Sequence, residues 1–168
     1  MLFFQAGALI SLDLTPSGDK QQFGIDIRSR AVHWINDIEK DKVYKGWPGG
    51  VQELLRPSFP GMLRYIRKNL FHMVAYCDPA SKESIPVIRE IESFYSHRAP
   101  TKMGLVLVGR DGAGGLMSRA FASLMKSKGQ KEALTFLVEV YDRHDSEEED
   151  GDVTEETVKA IVAESGLR

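Results

Sequence analysis

One stretch brings together residues able to do covalent chemistry. Residues 72–80 run His-Met-Val-Ala-Tyr-Cys-Asp-Pro-Ala, and Ser-Ile-Pro at 84–86 follows. The pattern is an apolar run, a cysteine, and then a segment at helical spacing. A thiol at the start of a helix can be ionised by the helix N-terminus and used for disulfide exchange. The chemistry needs a second thiol three residues on to resolve the mixed disulfide. Position 80 holds Ala80, and Cys77 is the only cysteine of the chain. Asp78 adds a negative charge beside the thiol and opposes its ionisation. A dithiol cycle is therefore excluded, and a thiol oxidoreductase survives only as a minor alternative.

Other chemistry-bearing patterns fail in detail. Residues 106–121 read as strand, glycine-rich turn and helix, the layout of a phosphate-binding loop. Counting G-x-G-x-x-G from Gly112 places Met117 at the third glycine, and counting a P-loop from Gly109 places Gly115 where lysine is required. The reading is a surface turn. Asp150-Gly151-Asp152 matches a D-x-D metal motif, but it lies in an acidic run with no strand around it. The four histidines stand at 33, 72, 97 and 144, with no metal-ligand spacing. Ser, His and Asp occur without a nucleophile elbow. No catalytic, cofactor or metal residue is expected in this chain.

The elements that position these residues are legible from periodicity. The 168 residues are 42% hydrophobic and 27% charged with a net charge of −2, which suits one globular domain and not a nucleic-acid binder. Arg64, Arg67 and Lys68 read as a solvated helix face. No apolar run reaches the ~18 residues of a membrane span, and the apolar start is read as a strand pair around Gly7. Residues 23–29 alternate as a half-buried strand, and 31–40 have helical spacing through Ala31, Trp34, Ile35 and Ile38. Residues 44–61 form a loop around a short helix at 51–55, with Trp47 and Phe59 as anchors.

Residues 70–78 predict a strand. Asp78 as N-cap and Pro79 as first residue then predict a helix whose apolar face is Ile85, Ile88, Ile91 and Tyr95. Residues 102–109 predict a second strand, parallel to the first and covered on both faces. Helices at 115–127 and 131–143 follow. The run 142–152 has seven acidic residues in eleven and reads as a flexible linker. Beyond it, Thr154 caps a last helix, with Val153 and Val158 as a hydrophobic staple and Gly166 as a C-terminal stop. Strand, cysteine turn, helix and parallel strand have the shape of thioredoxin. The expected class is α/β, a thioredoxin-like fold with a central mixed sheet and an added helical C-terminal half. The expected division is a redox-inactive domain over 1–144, an acidic linker over 145–152, and a docking helix over 153–168. No proline follows Pro100, so a closing hairpin is not signalled and the sheet must be completed from the N-terminal strands.

Residues 25–121 also carry a specific series: Asp26-Ile27-Arg28, Trp34-Ile35-Asn36, Trp47-Pro48, Leu54-Leu55-Arg56-Pro57 with Phe59-Pro60-Gly61, Ile66-Arg67-Lys68-Asn69, Asp78-Pro79, residues 94–108, and Arg119-Ala120-Phe121. This series resembles the UDP-glucose:glycoprotein glucosyltransferase family, and within it the third thioredoxin-like domain of the folding-sensor region. The resemblance implies a location in the endoplasmic reticulum lumen. It implies partly folded N-glycoproteins and other thioredoxin-like domains of the same polypeptide as partners, with no nucleic acid and no membrane. UDP-glucose and a calcium ion are implied for a catalytic domain elsewhere, which transfers glucose to high-mannose N-glycans. The implied role here is to bind exposed hydrophobic segments of unfolded clients; a spacer domain is the alternative. Candidates for the client patch are Phe121, Met125, Phe136, Leu137, Val140 and Tyr141. The helix 154–165 is the candidate mask, through Val158, Ile161, Val162 and Leu167.

Overall fold

The structure is a computed structural model that describes residues 29–57, 59–146 and 151–164. The expectations for the strand at 23–28, the start around Gly7, Gly166 and Leu167 lie outside the described residues.

Among the described residues, three strands and four α-helices make up the frame: β1 (His33–Trp34), β2 (His72–Cys77), α1 (Ser84–Ser96), β3 (Lys102–Leu107), α2 (Gly112–Ser127), α3 (Gln130–Ser146) and α4 (Glu155–Glu164). The sheet order is β1-β3-β2. β2 and β3 run parallel, from His72 opposite Lys102 to Cys77 opposite Leu107. β1 is antiparallel to β3, with Trp34 opposite Gly104. Side chains alternate between the faces of a strand. Met73, Ala75 and Cys77 of β2 and Met103, Leu105 and Leu107 of β3 therefore share the face that packs with the helices in one core. The central strand is buried through Met103–Val106, as expected for a strand covered on both sides.

The helix expected at 31–40 is a strand followed by a turn. Ile35 and Ile38 are buried as the apolar spacing required. Long-range pairing overrides the helical period: the Ile35 N–H donates to the Met103 carbonyl at 2.8 Å. Buried Asn36 fixes the exit. Its Oδ1 accepts from the Met103 N–H at 2.7 Å, and its Nδ2 donates to the Tyr44 hydroxyl and the Thr101 carbonyl, each at 3.0 Å.

The loop 44–61 does hold a short 3-10 helix at Val51–Leu55. Trp47 anchors it, packed edge-on against Tyr44 and Tyr65 at ring distances of 4.8 and 5.1 Å. Phe59 does not, being 79% exposed. Arg64, Arg67 and Lys68 lie in extended chain and turns, not on a helix.

α1 starts at Ser84, five residues after Pro79. A helix begun at Pro79 would hold Pro86 in its interior, where it lacks an N–H and clashes with the carbonyl four residues back. A start at Ser84 places Pro86 in the first turn, where no N–H partner is needed. Asp78 caps a local turn instead, its Oδ1 accepting from the Ala80 N–H at 3.1 Å. α2 ends where Gly129, at φ +105, lets its N–H reach the Leu124 carbonyl at 3.0 Å. α3 continues through Ser146, so residues 145–146, expected as linker, are helical. Two carboxylates of that acidic run, on Asp142 and Asp145, each meet Arg89 Nη2 of α1 at 2.8 Å.

Candidate functional site

The turn after β2 stands where thiol chemistry would be. Cys77 is half-buried. Burial pushes its thiol pKa up, and Asp78 pushes the same way, against a hydrogen bond with Ser84. The thiol packs against the apolar core and is disfavoured as a thiolate, the form a nucleophile needs.

What the turn does is hold the C-terminal helices. The Tyr141 hydroxyl of α3 donates to the Pro79 carbonyl at 2.9 Å. The Val153 N–H donates to the Ala80 carbonyl at 2.8 Å. The Lys82 N–H donates to Asp152 Oδ1 at 3.0 Å. Tyr141 is buried and its ionisation is strongly suppressed by that burial, so it stays a donor. Ala80 matters for its carbonyl, and Asp152 of the D-x-D pair serves this clasp. Among the described residues no cluster of His, Cys, Asp or Glu could hold a metal ion.

The glycine-rich turn is explained by the same region. A Cβ at Gly114 would collide with Asp78 Oδ1, and one at Gly109 would collide with the Gly114 backbone. The glycines permit close approach of the β2 turn to the first turn of α2. There the Asp78 carboxylate meets the positive end of the helix, ground a bound phosphate would need.

The candidate patch lies on α2 and α3. Phe121, Phe136, Leu137, Val140 and Tyr141 are buried, and Met125 is half-buried against the same core. Phe121 meets the His33 ring edge-on at 5.5 Å, while Tyr141 reaches the β2 turn. α4 packs on both α2 and α3. Val158 and Ile161 are buried, and Val162 is half-buried. Thr154 caps α4 as its sequence predicts, its Oγ1 accepting from the Thr157 N–H at 3.4 Å. The staple residues Val153 and Val158 are both in the core. At the far end of α4 an open groove of about 720 Å³ is lined by Leu124, Phe136, Arg143, Ile161 and Glu164 among others. Phe136 and Ile161 thus both border this groove. The clasp to Ala80 and Lys82 joins residues some seventy positions apart, and no local signal announces it.

This fold, with its disarmed cysteine turn, defines the class. The chain belongs to the thioredoxin-like domain family, whose family model matches residues 25–168. It is 44% identical over 142 residues, 81% of this chain, to a UDP-glucose:glycoprotein glucosyltransferase of Drosophila melanogaster. Over 80% of the chain it is 34% identical to the human UDP-glucose:glycoprotein glucosyltransferase 1. Over 82% it is 32% identical to the human UDP-glucose:glycoprotein glucosyltransferase 2. The chain spans only 9–10% of the length of these relatives, a stretch of one domain's size. No described helix is long and apolar enough to cross a membrane.

Proposed function

We propose that this domain recognises incompletely folded glycoproteins for a glucosyltransferase of the endoplasmic reticulum lumen. The surface is the apolar ground on α2 and α3, namely Phe121, Met125, Phe136, Leu137, Val140 and Tyr141. The mask is α4, through Val158, Ile161 and Val162, with Leu167 beyond. The rest of the enzyme supplies UDP-glucose and calcium binding and transfers glucose to high-mannose N-glycans. Other thioredoxin-like domains of the same polypeptide share the sensing, and this is the third of them.

One observation carries the reading: a short helix, joined through an acidic stretch, packs on two longer helices and adds Val158 and Ile161 to their apolar core. A ten-residue helix is marginal alone in water, so α4 persists by docking. Each of its buried aliphatic side chains contributes about 1.5–3 kcal/mol. The Arg143–Glu164 pair at its end is exposed at 37% and 62% and adds little. An unfolded segment offering similar side chains can therefore compete for the surface.

The test is a titration of the chain with one glycoprotein in its native and its unfolded form, read by amide exchange at Val158 and Ile161. Recognition requires faster exchange there with the unfolded form alone. Equal effects of both forms, or none, would refute it.

A further inference from the structure

The loop between β1 and β2 exposes more large apolar side chains than any other part of the described chain. Leu55 is 85% exposed, Phe59 79%, and Val51 and Met62 each 62%; Tyr65 and Phe71 are about half exposed. Scattered exposed hydrophobics are ordinary, but a concentration of them marks an interaction surface. These residues are not loosely placed. The Met62 N–H donates to the Phe59 carbonyl at 3.2 Å, and the Arg67 N–H to the Pro48 carbonyl at 2.8 Å. Trp47 is wedged between Tyr44 and Tyr65. The loop is a shaped surface, remote in sequence from the candidate patch on α2 and α3.

Its charge indicates what it fits. Residues 35–71 hold seven basic residues and four acidic ones, three of the four before residue 42, whereas the whole chain has a net charge of −2. Arg56 pairs with Glu53 and Lys68 with Glu39, while Arg67 donates to the Glu39 backbone carbonyl. Lys42, Lys45 and Arg64 make no ion pair among the described residues. The surface is apolar with uncompensated positive charge around it. It suits an apolar partner rimmed by carboxylates, the arrangement of a specific interface.

We infer that this loop is an interdomain contact, docked in cis on a neighbouring domain that presents apolar side chains with an acidic rim. The inference rests on the reading of this chain as one domain of a longer glucosyltransferase. The relatives carry some nine-tenths of their length outside the matched stretch, so a covalently joined partner is at hand. A linked domain meets the surface at an effective concentration of about a millimolar, so even weak docking saturates. Permanent burial in cis also removes a surface that would otherwise bind indiscriminately.

The experiment follows hydrogen exchange over residues 48–71 in this chain alone and in the full glucosyltransferase polypeptide carrying it. Docking in cis slows exchange there by ~tenfold or more in the full polypeptide. Leu55→Asp with Phe59→Asp restores the fast rate in the full polypeptide. The same double variant leaves the melting temperature of the single domain unchanged, because both side chains are exposed in it. Equal exchange in the two settings overturns the inference. So does protection of the single domain that depends on its concentration, which assigns the loop to a second copy. Loss of protection on deleting residues 1–24 would assign it to the chain's own terminus. Protection that appears only with an unfolded glycoprotein would assign it to clients. None of these readouts involves α4, so failure here leaves the recognition surface on α2 and α3 separately testable.

Discussion

The Val153 N–H donates to the Ala80 carbonyl at 2.8 Å. This bond ties the segment before α4 to the residue that stands where a resolving cysteine would be. Asp152 reinforces it by accepting from the Lys82 N–H. The turn after β2 is the attachment point of the terminal helix. Any movement of α4 has to keep or break these two bonds.

If α4 undocks as proposed, the clasp and cap should set how often it does so. Thr154→Ala removes the side-chain acceptor for the Thr157 N–H and costs about 0.5–2 kcal/mol. Amide exchange at Val158 should rise several-fold while exchange in α1 stays unchanged, and Thr154→Ser should largely restore it. Unchanged exchange in Thr154→Ala would show that the cap does not control docking.

Cys77 is expected to be inert. Burial raises its thiol pKa and Asp78 adds to the effect. Alkylation by iodoacetamide at pH 8 should be at least several-fold slower than that of a free cysteine. Cys77→Ser should leave binding of unfolded glycoprotein unchanged. Fast alkylation would restore the redox alternative.

Gly114→Ala should lower stability by roughly 1–3 kcal/mol, the usual cost of overpacking, because its Cβ meets Asp78 Oδ1. Asp78→Ala should be less harmful in the Gly114→Ala background than alone. The check is a double-mutant cycle by chemical denaturation. Additive effects would show that the two residues do not oppose each other.

Stability should fall as pH drops from 7 toward 3. Burial lowers the pKa of His33, with Lys126 adding to it, and burial lowers that of His72, with Lys102 adding to it. A base depressed in the folded state is protonated more readily when unfolded. The unfolded chain therefore gains protons first, and stability is lost as pH falls through about 6.5. Asp37 extends the loss at lower pH. Burial would raise its pKa, but the Asn69 hydrogen bond and Lys102 outweigh burial and hold it below the usual range. Its contribution is present above the unfolded pKa and lost below it. Urea midpoints from pH 7 to 3 check this. His33→Gln with His72→Gln should flatten the upper part of the curve, and Asp37→Asn the lower part.

The sequence made legible what is local. β2 and β3 show as apolar runs, and the apolar faces of α1, α2 and α3 show at helical spacing. α4 carries its own cap and staple, so its start is read within a residue. What depends on distant partners is not legible in the local sequence. Ala31, Trp34, Ile35 and Ile38 mimic a helix, yet pairing with β3 claims Trp34 and Ile35 for the sheet. Asp78-Pro79 looks like a helix start, but Pro86 forbids it. Phe59 looks like an anchor, and its exposure follows only from where the loop lies in space. For the candidate site, the apolar residues of α2, α3 and α4 were readable, whereas the clasp from Val153 and Asp152 to the β2 turn was not. Nothing near Ala80 in the chain reports that its carbonyl has a partner so far away.

The central claim is that α4 covers a recognition surface and is not part of the indispensable core. The most direct measurement compares the full chain with one ending at Ser146 by NMR, and titrates both with an unfolded glycoprotein. The account predicts that the shortened chain keeps dispersed amide signals from β2, β3 and α1 to α3, and binds the unfolded glycoprotein more tightly than the full chain. Collapse of those signals, or equal or weaker binding by a folded shortened chain, would contradict it.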